Sequence, residues 1–146
     1  MPIRTTHRDR LGSRGSAMVE FALCFLLFMG LIVGIFELGR TIWTYTTVAY
    51  ASRQAARYAI VHSEFGDPDV LASLGTDPID DRVKSQAIGL DASKLSITKN
   101  WTPDASRGSE FQITVTYPVD VIGSSLFIPG VNQIVLGSTS RSTVLN

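Results

Sequence analysis

The sequence has few of the residues on which enzymes most often depend. It holds one cysteine and two histidines among 146 residues, and they form no cluster with the spacing of metal ligands. It also lacks a glycine-rich phosphate-binding loop and a Gly-x-Ser-x-Gly motif. The one cysteine, Cys24, excludes an intrachain disulfide. We therefore predict a protein that is not an enzyme and that binds no metal or cofactor.

The sequence also lacks net charge, because 13 basic residues balance 13 acidic ones. The charges are unevenly distributed. Residues 1–15 hold four arginines and one acid, whereas residues 16–146 hold nine basic and twelve acidic residues, a net charge of −3. A nucleic-acid-binding protein normally carries a basic patch or stripe. We therefore predict no nucleic-acid partner.

Proline is missing between Pro2 and Pro68, so a helix can run through this region without a break. Residues 17–36 are uncharged except for Glu20. Twenty helical residues rise about 30 Å, which is the thickness of the hydrocarbon layer of a bilayer. We predict one long helix over residues 16–62 that crosses a membrane at about 17–36.

The basic residues before the apolar run set its expected orientation. Short flanks rich in arginine stay on the cytoplasmic side, so residues 1–15 are predicted to be a cytoplasmic leader. The run is longer than the apolar part of a secretory signal peptide, and no small-x-small cleavage site closes it. We therefore predict a retained single-pass anchor.

Glu20 is the most informative residue of the apolar run. A carboxylate at the centre of a membrane helix costs roughly 2.5–3.5 kcal/mol, and less near its end. Such a residue is typical of a functional site with a partner. The alternative is that Glu20 lies at the membrane surface beside Arg14 and reaches water.

The residues around Glu20 resemble a known processing site. Gly15–Phe21, with the sequence GSAMVEF, is similar to the site of type IV prepilins, with glycine at −1 and glutamate at +5. The longer pattern over about residues 14–60 resembles the TadE-like family, the pseudopilins of the tight-adherence (Flp pilus) system. Flp pilins commonly have tyrosine after the glutamate. Phe21 stands there here, which favours a TadE-type subunit over a major pilin.

The resemblance implies a mechanism and a location. A prepilin peptidase of the bacterial inner membrane would cut after Gly15, and Ser16 would become the new N-terminus. Glu20 would then pair with the N-terminal ammonium of a neighbouring subunit. The C-terminal domain would be periplasmic, and the chain would act as a minor pseudopilin, a structural subunit of the pilus. The alternative is an uncleaved, anchored periplasmic component of a secretion or pilus machine.

The resemblance also implies partners: the peptidase, other pilins and pseudopilins, the inner-membrane assembly platform and membrane lipid. Two features of the helix are candidates for assembly contacts. Gly30 and Gly34 form a Gly-x-x-x-Gly pattern that lets helices approach closely. Arg53 and Arg57 share one face, where they would meet acidic residues of a neighbour, lipid phosphates or only solvent.

The second half of the long helix carries a small-residue seam and several aromatic residues. The seam is predicted to pack on the protein's own domain, with a neighbouring subunit as the alternative. Trp43, Tyr45 and Tyr50 are aromatic residues of the kind that favour the membrane surface. The seam consists of Ala49, Ser52, Ala56 and Ala59.

Residues 67–146 are predicted to form a small α+β domain. Thr76-Asp77-Pro78 is typical of a helix start, with an apolar face formed by Ile79, Val83, Ala87 and Ile88 and an end at Gly89. About 80 residues give only a marginal core, so we expect the domain to pack on the long helix. Strands are predicted at 95–98, 111–117 and 133–136, with 142–145 continuing or pairing with the last, and loops at 103–109 and 118–130.

The fold class predicted from these patterns is α+β. A long N-terminal membrane-spanning helix extends into the periplasm, where it packs on a small helix and an antiparallel sheet. An acidic stretch at residues 67–81 has calcium binding as one interpretation. The spacing does not fit an EF-hand loop, because no glutamate closes it, so helix caps and solvated loops are the favoured roles.

Overall fold

The computed structural model describes residues 9–121 and 133–144. Its secondary structure confirms the predicted α+β class: one long helix, two short helices and a three-stranded antiparallel sheet in the order β1-β2-β3. The chain divides into two compact units, Met1–Gly39 and Arg40–Asn146. The elements are α1 (Asp9–Val61), α2 (Pro68–Leu74), α3 (Pro78–Gln86), β1 (Ser96–Thr102), β2 (Glu110–Asp120) and β3 (Gln133–Thr143).

Helix α1 begins at Asp9, earlier than the sequence predicts, and so includes part of the leader. Residues 9–15 contain no proline, and each of the two glycines there lowers helix stability by only about 1 kcal/mol. At the other end, α1 stops at Val61 and a 3-10 turn, Ser63–Gly66, follows. The long helix does end before Pro68, but Pro68 is also the first residue of a further short helix, α2. The sequence analysis did not predict this helix.

Small residues of α1 build the core of the second unit. Ala51, Ala55 and Ala59 are fully buried, and Ser52 and Ala56 are 0 % and 1 % exposed. Because these side chains are short, the helix lies close to the sheet. The prediction that the small-residue seam packs on the protein's own domain is confirmed. The buried side chains packed with it are Val48 of α1, Ile79 and Val83 of α3, and Phe111, Ile113 and Val115 of β2.

Strand β2 is the centre of the sheet, and its alternate side chains face the helix. Ser52 donates a hydrogen bond to the hydroxyl of Ser138 at 3.1 Å and lies 3.1 Å from that of Ser140. These small β3 side chains, like the alanines of α1, allow a close approach between helix and sheet. β3 is continuous, so the predicted segment 142–145 continues the strand as far as Thr143.

The prediction of a loop from Pro118 onward is wrong for residues 118–120, which belong to β2. Proline is excluded from the middle of a sheet because it cannot donate a ladder hydrogen bond. Pairing between β1 and β2 stops at Thr116, so Pro118 pairs only with Val135 of β3. Residues 122–130 of the predicted loop lie outside the described part of the chain.

Helix α3 begins as predicted, because Asp77 caps it and Pro78 occupies its first turn. Asp77 Oδ1 accepts hydrogen bonds from the backbone N–H of Ile79 at 3.0 Å and of Asp80 at 3.4 Å. The predicted apolar face is wrong at Ile88, which is 73 % exposed. The reason is that α3 ends at Gln86, so Ile88 no longer follows the helical period.

One ion-pair cluster connects α3 to the sheet. The ammonium group of Lys99, on β1, forms an ion pair with Asp77 and lies 2.8 Å from Asp80 Oδ1. Burial raises the pKa of Asp80, the charge of Lys84 partly opposes that shift, and the neighbouring charge of Asp81 adds to it. Burial also lowers the pKa of Lys99. Two carboxylates thus share one partly buried ammonium group.

Lys99→Met is expected to lower the free energy of unfolding by about 1–3 kcal/mol at pH 7, because it removes the cation that Asp77 and Asp80 share. The deficit should shrink as the pH falls through the raised pKa of Asp80, since the protonated carboxyl no longer needs a cation. Urea unfolding of the full chain in detergent, followed against pH, measures this. Lys94→Met, at an exposed pair with Asp120, is the matched control and should shift the midpoint little. An equal shift in both variants would contradict the prediction.

Candidate functional site

The predicted processing residues lie on regular helix near the start of α1. Gly15, Ser16, Glu20 and Phe21 are all exposed. Ser16 and Glu20 are four residues apart, so they lie on the same side of the helix with a rise of about 6 Å between them. The structure thus brings the predicted new N-terminus and the predicted partner carboxylate to one helical turn within a single chain.

Gly15 has no role in packing that the structure reveals. A Cβ atom added there would meet nothing within 4 Å, and the residue lies in ordinary helix. Glycine in the interior of a helix is less favourable than alanine by roughly 1 kcal/mol. Packing within the described residues therefore gives no reason for glycine at this position. Recognition by another molecule is a role that would require it.

The apolar part of α1 has no protein around it. The segment Gly15–Val61 contains a window long and apolar enough to cross a membrane, and no residue of that window is buried. Large side chains are exposed along it, from Met18 at 76 % to Phe36 at 75 %. Leaving such side chains in water costs roughly 1.5–3 kcal/mol each compared with burial. The single N-terminal apolar helix therefore fits a single-pass membrane protein.

Glu20 is the only charged residue among the exposed apolar side chains of residues 17–36. Among the side chains at positions 15–121 and 133–144, none makes a hydrogen bond or ion pair with it. Gly30 and Gly34 are also exposed, and a Cβ atom at either would meet nothing within 4 Å. The close approach that these glycines allow is therefore not used within the described part of this chain.

Arg53 and Arg57 belong to the second unit, where both side chains are exposed. They lie on the side of α1 that faces away from the buried seam, together with Tyr50, which is 47 % exposed. Their role as assembly residues therefore stays a prediction. The processing residues and the two glycines belong to the first unit.

Two features of the second unit were missed in the sequence analysis. One is the Lys99 cluster, and the other is a cleft between Trp43 of α1 and the loop after α3. Neither has a local motif, because each joins segments that are at least 19 positions apart. Within residues 9–121 and 133–144, no group of three His, Cys, Asp or Glu side chains is arranged to hold a metal ion.

Comparison with known proteins identifies the N-terminal segment. The model of the family described as TadE-like protein matches residues 15–57. No curated protein and no solved structure matches the chain. The match starts at Gly15 and covers Glu20, the apolar run and much of the seam. The resemblance predicted from the sequence is confirmed for residues 15–57, which match the TadE-like model.

Proposed function

We propose that this chain is a minor pseudopilin-like structural subunit of a tight-adherence pilus and that a prepilin peptidase cuts it after Gly15. The observation that carries the proposal is the combination of an exposed glycine that packing does not require with a carboxylate five residues later in the apolar segment. The TadE-like match begins at the same glycine, which supports the proposal.

Cleavage would give Ser16 a free ammonium group at the membrane surface. Glu20 of a neighbouring chain would pair with that group, and opposite charges about 4 Å apart attract far more strongly in a low-dielectric environment than in water. Pairing would offset the cost of burying either charge alone. The uncut chain has no ammonium group at this position, so cleavage would also control when assembly begins.

The proposed partners follow from this mechanism. The peptidase reads the segment around Gly15, the assembly platform of the inner membrane receives the processed helix, and other pilins or pseudopilins supply the neighbouring charges. Gly30 and Gly34 offer a face on which a second helix packs closely. Arg53 and Arg57 are then available to acidic side chains of a neighbour or to lipid phosphates.

One observation favours a second candidate function, an anchored component that is never cut. α1 continues from Asp9 through Gly15 and Ser16, so the bond to be cut lies inside a helix. A peptidase would have to unwind that turn first. The intact mass of the protein extracted from membranes distinguishes the two functions, because the proposed subunit starts at Ser16 and the anchored component keeps residues 1–15.

Both candidates share one topology, which a reporter tests directly. A reporter that is active only in the periplasm, fused after Asn146, should be active, because the arginines before the apolar run hold the N-terminus in the cytoplasm. Its cytoplasmic counterpart at the same position is the control and should be inactive. The opposite pattern of activity would show that the chain is inserted the other way round.

A further inference from the structure

We propose that the second unit contains a site of covalent cross-linking, where Nζ of Lys99 and Cγ of Asp77 join in an amide bond and release one water molecule, with Asp80 as the proton carrier. The ion pair among these residues is the state before the reaction, and the urea comparison of Lys99→Met applies to that state. Every residue of the site belongs to the unit from Arg40 onward. The proposal is therefore independent of cleavage, of the membrane and of the pilus.

Strand β1 directs the side chain of Lys99 toward the core. Half-buried residues alternate with exposed ones along β1, and Lys99 lies between Ile97 and Trp101, which both pack against the core. Its partner across the sheet is Ile113, which is fully buried. The Lys99 side chain is 20 % exposed, compared with 44 % for Lys94 in its surface ion pair. The amine of Lys99 is thus partly withdrawn from water.

Helix α3 fixes the carboxyl group of Asp77 in position for attack. Oδ1 of this capping residue accepts hydrogen bonds from the backbone N–H groups of Ile79 and Asp80, while Oδ2 contacts Nζ of Lys99. When the nitrogen adds to Cγ, negative charge collects on a carboxyl oxygen. Backbone N–H groups that already point at such an oxygen stabilise the tetrahedral intermediate. The helix cap therefore supplies both the orientation and the donors that the reaction needs.

Asp80 is placed to carry the proton. Its Oδ1 lies 2.8 Å from Nζ of Lys99. This oxygen is buried, and it makes no hydrogen bond within residues 9–121 and 133–144. A group that takes or gives a proton must lie about 2.6–3.2 Å from the atom with which it exchanges. Oδ1 of Asp80 meets that requirement.

The surroundings shift both groups toward the neutral forms that the reaction uses. Burial lowers the pKa of Lys99, so its uncharged, nucleophilic amine is easier to reach. Burial raises the pKa of Asp80; the charge of Lys84 partly opposes this shift, and that of Asp81 adds to it. Opposite shifts on a neighbouring amine and carboxyl group are typical of candidate reactive sites.

The reaction balances without a cofactor, an oxidant or a reductant. One proton passes from the ammonium group of Lys99 through Asp80 to Oδ2 of Asp77. The free amine then forms the N–C bond to Cγ, and the electron pair of the C=O bond moves to Oδ1. A second proton passes from the nitrogen through Asp80 to Oδ2, the Cγ–Oδ2 bond breaks, and Oδ2 leaves as water. An ammonium group and a carboxylate thus become one amide and one water molecule.

The bond would join the start of α3 to β1 and close the loop between Asp77 and Lys99. The one cysteine of the chain, Cys24, excludes an intrachain disulfide. A cross-link restricts the unfolded chain and so stabilises the fold, which matters most in a domain with a small core. The amide would serve this purpose in the second unit.

Mass spectrometry of the purified full chain in detergent tests the proposal. After incubation near neutral pH, the intact mass should be lower than that of the encoded chain by one water molecule. Trypsin does not cut after a lysine whose amine is in an amide bond. The digest should therefore contain the peptide 58–82 joined to the peptide 95–107.

Two variants and one internal control assign the bond to this site. Lys99→Arg keeps the positive charge, but its guanidinium group stays protonated and cannot attack, so the chain should keep its full mass. Asp80→Ala keeps both reacting groups and should slow the loss of water by roughly 10²–10⁴-fold, the usual contribution of a proton-transfer group. Lys94 and Asp120, an exposed ion pair at 3.3 Å, should stay unlinked in the same digest.

Three results would overturn the proposal. The first is a wild-type digest that holds 58–82 and 95–99 as separate peptides after prolonged incubation. The second is a loss of water that persists in Lys99→Arg, because the water would then come from another part of the chain. The third is an Asp80→Ala chain that reacts at the wild-type rate. Uncut chain serves for all of these measurements, so failure here would leave the proposed processing at Gly15 unaffected.

Discussion

Gly15→Val is expected to leave the chain at full length in cells that contain the peptidase, whereas the wild-type chain should begin at Ser16. A Cβ atom at Gly15 meets nothing within 4 Å, so valine fits the fold. Valine is also no worse than glycine in a helix interior. The variant should therefore insert and fold as before, and any loss of cleavage reports on the peptidase alone. Intact mass of the membrane-extracted protein measures the result.

Gly30→Val is the matched control for this experiment. It makes the same change in the same helix, at a glycine that is also exposed and also has nothing within 4 Å of the added Cβ atom. It should be cut as the wild type is. A wild-type chain that retains Met1 or Pro2 in cells with active peptidase would contradict the proposed processing and leave the anchored component as the function.

The elements that could be predicted from the sequence are those that depend on interactions between residues close together in the chain. α1 follows from the lack of proline and from a run of apolar and small residues, and both act within a few turns. The start of α3 follows from Asp77 and Pro78, whose effects reach only the first helical turn. The seam of α1 was predicted because its small residues recur with the 3.6-residue period of a helix, although the fully buried Ala51 was not assigned to it.

The features that the sequence did not predict depend on distant parts of the chain. β2 continues through Pro118 because β1 begins only at Ser96, opposite Thr116, and the length of a neighbouring strand has no local signature. Lys99 meets Asp77 and Asp80 only once β1 lies beside α3. Ile88 matches the helical period of α3, yet the helix ends first, because the backbone N–H of Ala87 makes the last helical bond, to Val83.

The residues of the candidate processing site could be predicted almost entirely from the sequence. Its residues are recognised by their order, a small residue and then a carboxylate at a fixed distance in an apolar run, and no tertiary contact is needed to find them. The structure adds what order cannot show. Gly15, Gly30 and Gly34 have no contact within the described chain that requires glycine. These three glycines, which packing does not explain, are the residues for which we propose contacts with the peptidase or with a neighbouring helix.

Glu20→Gln is expected to reduce piliation strongly while leaving cleavage and insertion intact. Glutamine keeps the size and the helix propensity of glutamate, but it cannot form an ion pair with the ammonium group of Ser16. Removing the charge also lowers the cost of insertion, so failure to reach the membrane would not explain the loss. A loss of about 1.4 kcal/mol in each subunit contact would weaken that contact about tenfold.

Pilus counts and cross-linking from Ser16 to neighbouring subunits, at equal protein level, test this expectation. Glu64→Gln is the control, since it removes the same charge from an exposed side chain of the turn Ser63–Gly66, outside the apolar segment. If the ion pair drives assembly, the cross-links should be lost in Glu20→Gln and kept in Glu64→Gln. Normal piliation with unchanged cross-links in Glu20→Gln would instead show that Glu20 is a charge at the membrane surface that reaches water, because an interfacial carboxylate has no partner to lose.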